Sequence, residues 1–87
     1  MATQYTKSKT RVALTPGDAV RIAREMLGWS QNMLSTRCNI PQSTLSAIES
    51  NRVALGVERA KKLARSMNLH PAVLLFPAWD LAKESAA

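Results

Sequence analysis

The sequence predicts an all-α fold, a compact bundle of five short helices preceded by a flexible basic arm. Three observations carry this. Apolar residues recur at helical spacing through residues 19–27 and again through 57–67. Residues that start helices and residues that stop them follow one another at short intervals. No stretch shows the apolar–polar alternation of a half-buried strand.

The elements follow in order. Residues 1–13 are polar, carry Lys7, Lys9 and Arg11, and show no sustained period, so they read as the arm. Thr15-Pro16-Gly17-Asp18 is a helix start: a hydroxyl cap, proline in the first helical position, and an acid that answers the cap and the helix dipole. Ala19, Val20, Ile22, Ala23, Met26 and Leu27 form the apolar stripe of this first helix, and Gly28 ends it. Ser30 caps a second helix from Gln31 to about Cys38, with Trp29 and Leu34 placed as a hydrophobic staple. A third helix runs from about Gln42 to Ser50 with Leu45 and Ile48 inward. A fourth, from about Val57 to Met67, buries Ala60, Leu63, Ala64 and Met67. A short fifth starts at Pro71 and stops by Pro77, with His70 as its cap. Three helix ends share one device: Leu27-Gly28-Trp29, Cys38-Asn39-Ile40 and Met67-Asn68-Leu69. Gly and Asn tolerate the left-handed backbone of a helix C-terminal cap, and the next apolar residue turns back to the core. The expected organisation is an arm (1–13), one folded domain (14–81) and a tail (82–87).

Composition narrows the function. The 87 residues hold 12 Lys and Arg against 6 Asp and Glu, a net charge of +6, which favours a polyanionic partner: nucleic acid or an acidic membrane surface. No apolar run reaches the ~18 residues of a membrane span, and residues 1–11 lack the apolar core of a signal peptide. One cysteine, Cys38, and one histidine, His70, make neither an internal disulfide nor a Cys/His metal cluster. Cys38 sits at an apolar helix position and reads as a buried thiol in a reduced, cytoplasmic setting. Asp18, Glu25, Glu49, Glu58, Asp80 and Glu84 show no pairing for acid–base work, and there is no phosphate-binding glycine loop. The sequence therefore predicts neither an enzyme nor a cofactor. Few aromatics are placed to stack bases, which argues against RNA. Lys61, Lys62 and Arg65 read as a solvated face, and Trp29 as core.

The informative stretch is Ser30 to Arg52. Asn39-Ile40-Pro41 joins two short helices so tightly that they must cross at a large angle, a helix-turn-helix. The second helix of such a pair enters the DNA major groove by its N-terminal end, where Gln42, Ser43, Thr44, Ser46 and Ala47 face outward. Gln pairs bidentately with adenine, Ser and Thr bond several base edges, and Ala meets a thymine methyl.

This run resembles the Cro/C1-type (XRE) helix-turn-helix family over roughly residues 18–75. The matching points are Ser30-Gln31, Leu34, Gln42-Ser43-Thr44-Leu45 and Ile48-Glu49-Ser50-Asn51-Arg52. Asn51 stands where that family usually has Gly. Pro41 stands where a hydroxyl cap is frequent, so the third helix is expected to lack a side-chain cap. The resemblance implies a lambda-repressor-like domain that regulates transcription as a repressor of a near-palindromic operator in double-stranded DNA. It implies phosphate contact by Gln31, base contact by Gln42, Ser43 and Ala47, contact shared between bases and phosphate for Thr44 and Ser46, and a grip on the DNA backbone by Ser50, Asn51 and Arg52. It also implies an Arg24–Glu49 ion pair, and a protein located in the cytoplasm, on the nucleoid. Short length and the segment 70–77 further resemble antitoxins of toxin–antitoxin pairs, which would add a small toxin as partner; the alternative is a stand-alone repressor. Leu74, Leu75 and Phe76 are consecutive, so at least one must point outward. Leu75, Phe76, Trp79 and Leu81 are therefore expected to form a homodimer interface.

Overall fold

The computed structural model describes residues 14–78. The arm (1–13) and residues 79–87, Trp79 and Leu81 among them, lie outside the described residues. Five helices follow one another: α1 (Pro16–Met26), α2 (Gln31–Cys38), α3 (Gln42–Glu49), α4 (Val57–Met67) and α5 (Pro71–Leu75). There is no strand among the described residues. No helix there is long and apolar enough to cross a membrane.

Each start has a local cause. The Thr15 hydroxyl accepts from the Asp18 backbone N–H at 3.0 Å, and the Asp18 carboxylate accepts from the Thr15 N–H at 3.0 Å. This closes a capping box ahead of Pro16 and satisfies two amides that the helix cannot. The bond from the Thr15 backbone N–H first, and the Thr15 hydroxyl beside the carboxylate second, hold the Asp18 carboxyl below its ordinary pKa, and Arg21 adds to them. Ser30 caps α2 through Met33 N–H at 3.0 Å, and His70 Nδ1 accepts from Ala72 N–H at 3.0 Å to start α5. At α3 Pro41 supplies no side-chain cap. The helix ends at Glu49 with Ser50 as cap, one residue short of the expected end, a difference within ordinary fraying.

The helix stops share one geometry at four places. Gly28, Asn39, Asn51 and Asn68 have φ of 74°, 58°, 64° and 59°. The next residue in each case donates its N–H five residues back: Trp29 to Arg24 at 3.2 Å, Ile40 to Ser35 at 3.3 Å, Arg52 to Ala47 at 2.9 Å and Leu69 to Ala64 at 2.8 Å. This is the six-to-one bond of a Schellman turn. After α1, α2 and α4 the turn delivers an apolar residue to the core. After α3 it delivers Arg52, which is exposed.

Val20, Leu34, Leu45, Ile48, Leu63 and Leu74 are fully buried and join all five helices in one core. Burying each such side chain contributes about 1.5–3 kcal/mol. Helix α3 packs against α1 and α2, while α4 packs against α2 and α5. The start of α1 approaches the end of α3 so closely that a Cβ on Gly17 would collide with the Ile48 carbonyl oxygen and stand 2.7 Å from Asn51 Oδ1. Glycine is required at residue 17 by this contact rather than by its φ.

The apolar stripe of α1 runs past the core. Met26 is 82% exposed and Leu27 44% exposed. They form, with Ile22, Met67, Leu69 and Val73, much of the wall of an open groove between α1, α4 and α5, about 360 Å³ in volume. Leu75 is half-buried against the core, whereas Phe76 is 57% exposed.

Candidate nucleic-acid interface

The outward start of α3 is tied to the interior by a chain of side-chain hydrogen bonds. Arg24 on α1 meets Glu49 on α3 in a two-pronged pair: Nε donates to Oε2 at 2.8 Å and Nη2 to Oε1 at 2.9 Å. The third arm of the guanidinium, Nη1, donates to the Trp29 carbonyl at 2.8 Å. Arg24 therefore binds the end of α3 and the turn before α2 at once. Side-chain exposure is 11% for Arg24 and 4% for Glu49, so the pair is buried. The hydrogen bonds to Glu49 raise the Arg24 pKa further, against the effect of burial.

The chain continues outward. Gln31 Nε2 donates to Glu49 Oε1 at 3.0 Å, and Gln42 Nε2 donates to Gln31 Oε1 at 2.7 Å. The orientation of each amide follows from the first member. A carboxylate paired with arginine only accepts, so Gln31 must turn its NH₂ toward Glu49. Its carbonyl oxygen then faces Gln42, which must answer with an N–H. Gln42 is left with one N–H and its own carbonyl oxygen for a ligand. A buried ion pair thus fixes the donor and acceptor order of an exposed side chain at the tip of α3.

Around that tip, Gln42 and Ser43 are exposed, while Thr44, Ser46 and Ala47 are half-buried. At the other end of α3, the Ala47 carbonyl gathers the N–H groups of Arg52 and Val53 and the Ser50 hydroxyl. The Ser50 Oγ accepts from Arg52 Nε at 2.9 Å, so Ser50 positions the arginine. Asn51 adopts the left-handed cap, with its side chain against the start of α1. The structure so groups Gln31 with Gln42 and Ser50 with Arg52, and leaves Ser43 exposed without joining it to either group.

The other charged residues lie elsewhere. Lys61 pairs with Glu58 at 3.7 Å, Lys62 reaches the Asn39 carbonyl at 3.3 Å, and both are exposed, as is Arg65. Trp29 packs against the core, with the Arg37 guanidinium 4.4 Å above its ring. Cys38 is buried, and burial pushes its thiol pKa up, which disfavours the reactive thiolate. No group of His, Cys, Asp or Glu that could hold a metal occurs among the described residues.

Sequence reasoning assigned Gln31 to phosphate and Glu49 to Arg24, and missed the bonds that join the two. The available signal was the Ser30 cap, which places Gln31 at the first helical position, beside the start of the next helix. The close approach at Gly17 and the groove along α1 left no local mark.

Comparison with known proteins agrees with the geometry. A helix-turn-helix family model (HTH_3) matches residues 20–74. Among curated proteins there is no match to the chain. The P22 c2 repressor, solved in complex with a synthetic operator in the presence of Tl⁺, superposes with a TM-score of 0.68 at 20% identity, covering 74% of this chain and 97% of that one. A hypothetical transcription factor, NHTF from Neisseria, superposes with a TM-score of 0.69 at 20% identity, covering 100% of this chain and 98% of that one. At such identity the likeness shows a common fold, while the family match spans most of the chain. The protein belongs to the Cro/C1-type (XRE) helix-turn-helix family of DNA-binding regulators and not to a family of enzymes.

Proposed function

We propose that the protein is a transcriptional repressor that reads a near-palindromic operator as a homodimer, with the start of α3 in the major groove. The observation that supports this reading most directly is the oriented Gln42 amide. One N–H and the carbonyl oxygen of this amide remain for a ligand on an exposed tip. Adenine presents the matching pair in the major groove, an N7 acceptor beside an N6 donor. Ser43, Thr44, Ser46 and Ala47 supply further contacts to bases. Gln31, Ser50, Asn51 and Arg52 sit at the two ends of the helix pair and hold the phosphate backbone. One helix-turn-helix covers only a few base pairs, so two copies with recognition helices ~34 Å apart read successive major-groove faces. Of the four residues assigned to the dimer contact, Phe76 is the one both described and exposed. The resemblance of residues 70–77 to antitoxins supports a finer reading with a small toxin as second partner; mass spectrometry of complexes isolated from native lysate distinguishes it from a stand-alone repressor.

The test is to select binding sites from a random DNA pool and compare Gln42→Ala with the parent by fluorescence anisotropy at fixed salt. The variant should lose about 1–3 kcal/mol on the selected site and little on scrambled DNA. Equal loss on both would mean that Gln42 does not read a base.

A further inference from the structure

We infer that Lys62 on α4 holds a DNA phosphate beside the point where α3 enters the major groove. The inference rests on the reading of α3 as the recognition helix. In sequence Lys61, Lys62 and Arg65 look like one solvated face of α4. The fold divides them. Lys61 and Arg65 border a cleft with Leu69 and Pro71, on the flank of α4 that meets the start of α5. Lys62 turns instead to the flank that packs on α2, where its Nζ lies 3.3 Å from the Asn39 carbonyl oxygen. Asn39 opens the turn between α2 and α3, so one cation of α4 belongs spatially to the helix-turn-helix.

The chemistry left to Lys62 selects an anion. An ammonium carries three N–H donors, and Asn39 takes one of them. The carboxylates among the described residues are engaged elsewhere: Asp18 and Glu25 with Arg21, Glu49 with Arg24, and Glu58 with Lys61. Lys62 is therefore an exposed cation, steadied by a backbone carbonyl, with no acid to neutralise it among those residues. Its place selects phosphate. Asn39 precedes Gln42 by three residues, so their Cα atoms lie within about 11 Å of each other. The major groove is about 12 Å wide, with a phosphate backbone along each side. A chain that enters the groove at Gln42 passes one of these backbones just before it, where Lys62 is held. The carbonyl contact alone would only cap α2, whose C-terminal end favours a cation. Salt separates the two roles, because a cap releases no counterion when DNA binds.

The test is a salt titration of the full chain on selected and scrambled duplexes, read by fluorescence anisotropy. Lys62→Gln keeps an N–H for the Asn39 carbonyl and loses the charge, so its urea midpoint should stay near that of the parent. It should flatten the slope of log affinity against log salt by about 0.9, so that between about 50 and 200 mM salt the parent loses about 3.5-fold more affinity than the variant. The change should be equal on both duplexes, because a phosphate carries no sequence information. Lys62→Arg should restore the parent slope. Lys61→Gln removes the same charge from the other flank of α4, where Glu58 faces it at 3.7 Å, and should leave the slope near that of the parent. An unchanged slope in Lys62→Gln would overturn the inference, and a fall in its urea midpoint alongside would leave Lys62 as a cap of α2. Equal flattening by Lys61→Gln would overturn it as well, since the effect would then belong to net charge. A parent that binds neither duplex would defeat the reading of α3 and this inference with it. A parent that binds the selected duplex, with Lys62→Gln unchanged in slope, would overturn this inference alone.

Discussion

Removing Glu49 should cost the protein more than removing Glu49 and Arg24 together. The pair is two-pronged at 2.8 and 2.9 Å, and both side chains are nearly inaccessible, at 11% and 4%. In Glu49→Leu the guanidinium keeps only the Trp29 carbonyl at 2.8 Å and a distant Glu25 at 4.0 Å. Two of its N–H groups lose their acceptor, and Gln31 loses its anchor. Breaking a buried pair by removing one partner costs about 3–5 kcal/mol. The low end applies here, because Arg24 retains two contacts and keeps some access to water. A loss of about 3 kcal/mol in a domain of this size lowers the melting temperature by roughly 12–24 °C. Arg24→Met leaves Glu49 with Gln31 alone and should cost a similar amount. The double variant puts two apolar side chains in the same space and should recover much of the loss, because no charge is left stranded. Urea unfolding of the four proteins at 25 °C, read by linear extrapolation, gives the coupling energy directly. About 2 kcal/mol or more is expected. A coupling below about 0.5 kcal/mol would mean that the pair behaves as a surface ion pair, and the account of α3 being held from inside would fail.

Three shorter predictions follow from other contacts. Gly17→Ala places a methyl group against the Ile48 carbonyl and Asn51, so α1 must move off α3; urea unfolding should show a loss of about 1–3 kcal/mol, and an unchanged midpoint would mean the two helices are not held in contact. The Asp18 carboxyl is held below its ordinary pKa, so its contribution is complete above the unfolded-state value of about 3.9 and is lost as pH falls through the lower folded-state value. Melting temperature measured from pH 6 downward should therefore fall less steeply for Asp18→Ala than for the parent at the acidic end. Arg52→Ala removes an exposed cation that Ser50 positions; it should weaken selected and scrambled DNA alike and reduce the slope of log affinity against log salt by about one, whereas an unchanged slope would take Arg52 out of the phosphate contacts.

The sequence by itself determined the helices and their limits. Thr15 with Asp18, Ser30 and His70 start helices through bonds that span three residues or fewer, and Gly28, Asn39, Asn51 and Asn68 stop them by a property of single residues. Signals so local are complete within a few positions and need no knowledge of the fold. The helix-turn-helix was legible for the same reason, since Asn39-Ile40-Pro41 constrains the two helices it joins. What only the tertiary structure decided are contacts between residues far apart in the chain. Gln31 and Glu49 are separated by 18 positions and Arg24 and Glu49 by 25. The ion pair could be inferred from a family resemblance, but its extension through Gln31 to Gln42 could not, because a glutamine amide has no preferred partner until a neighbour with a fixed demand is placed beside it. The groove along α1 was hidden by a similar ambiguity: a stripe of Ile22, Met26 and Leu27 has one appearance in sequence whether it faces the core or lines a groove, and the packing of α1 beside α4 and α5 is what decides between them.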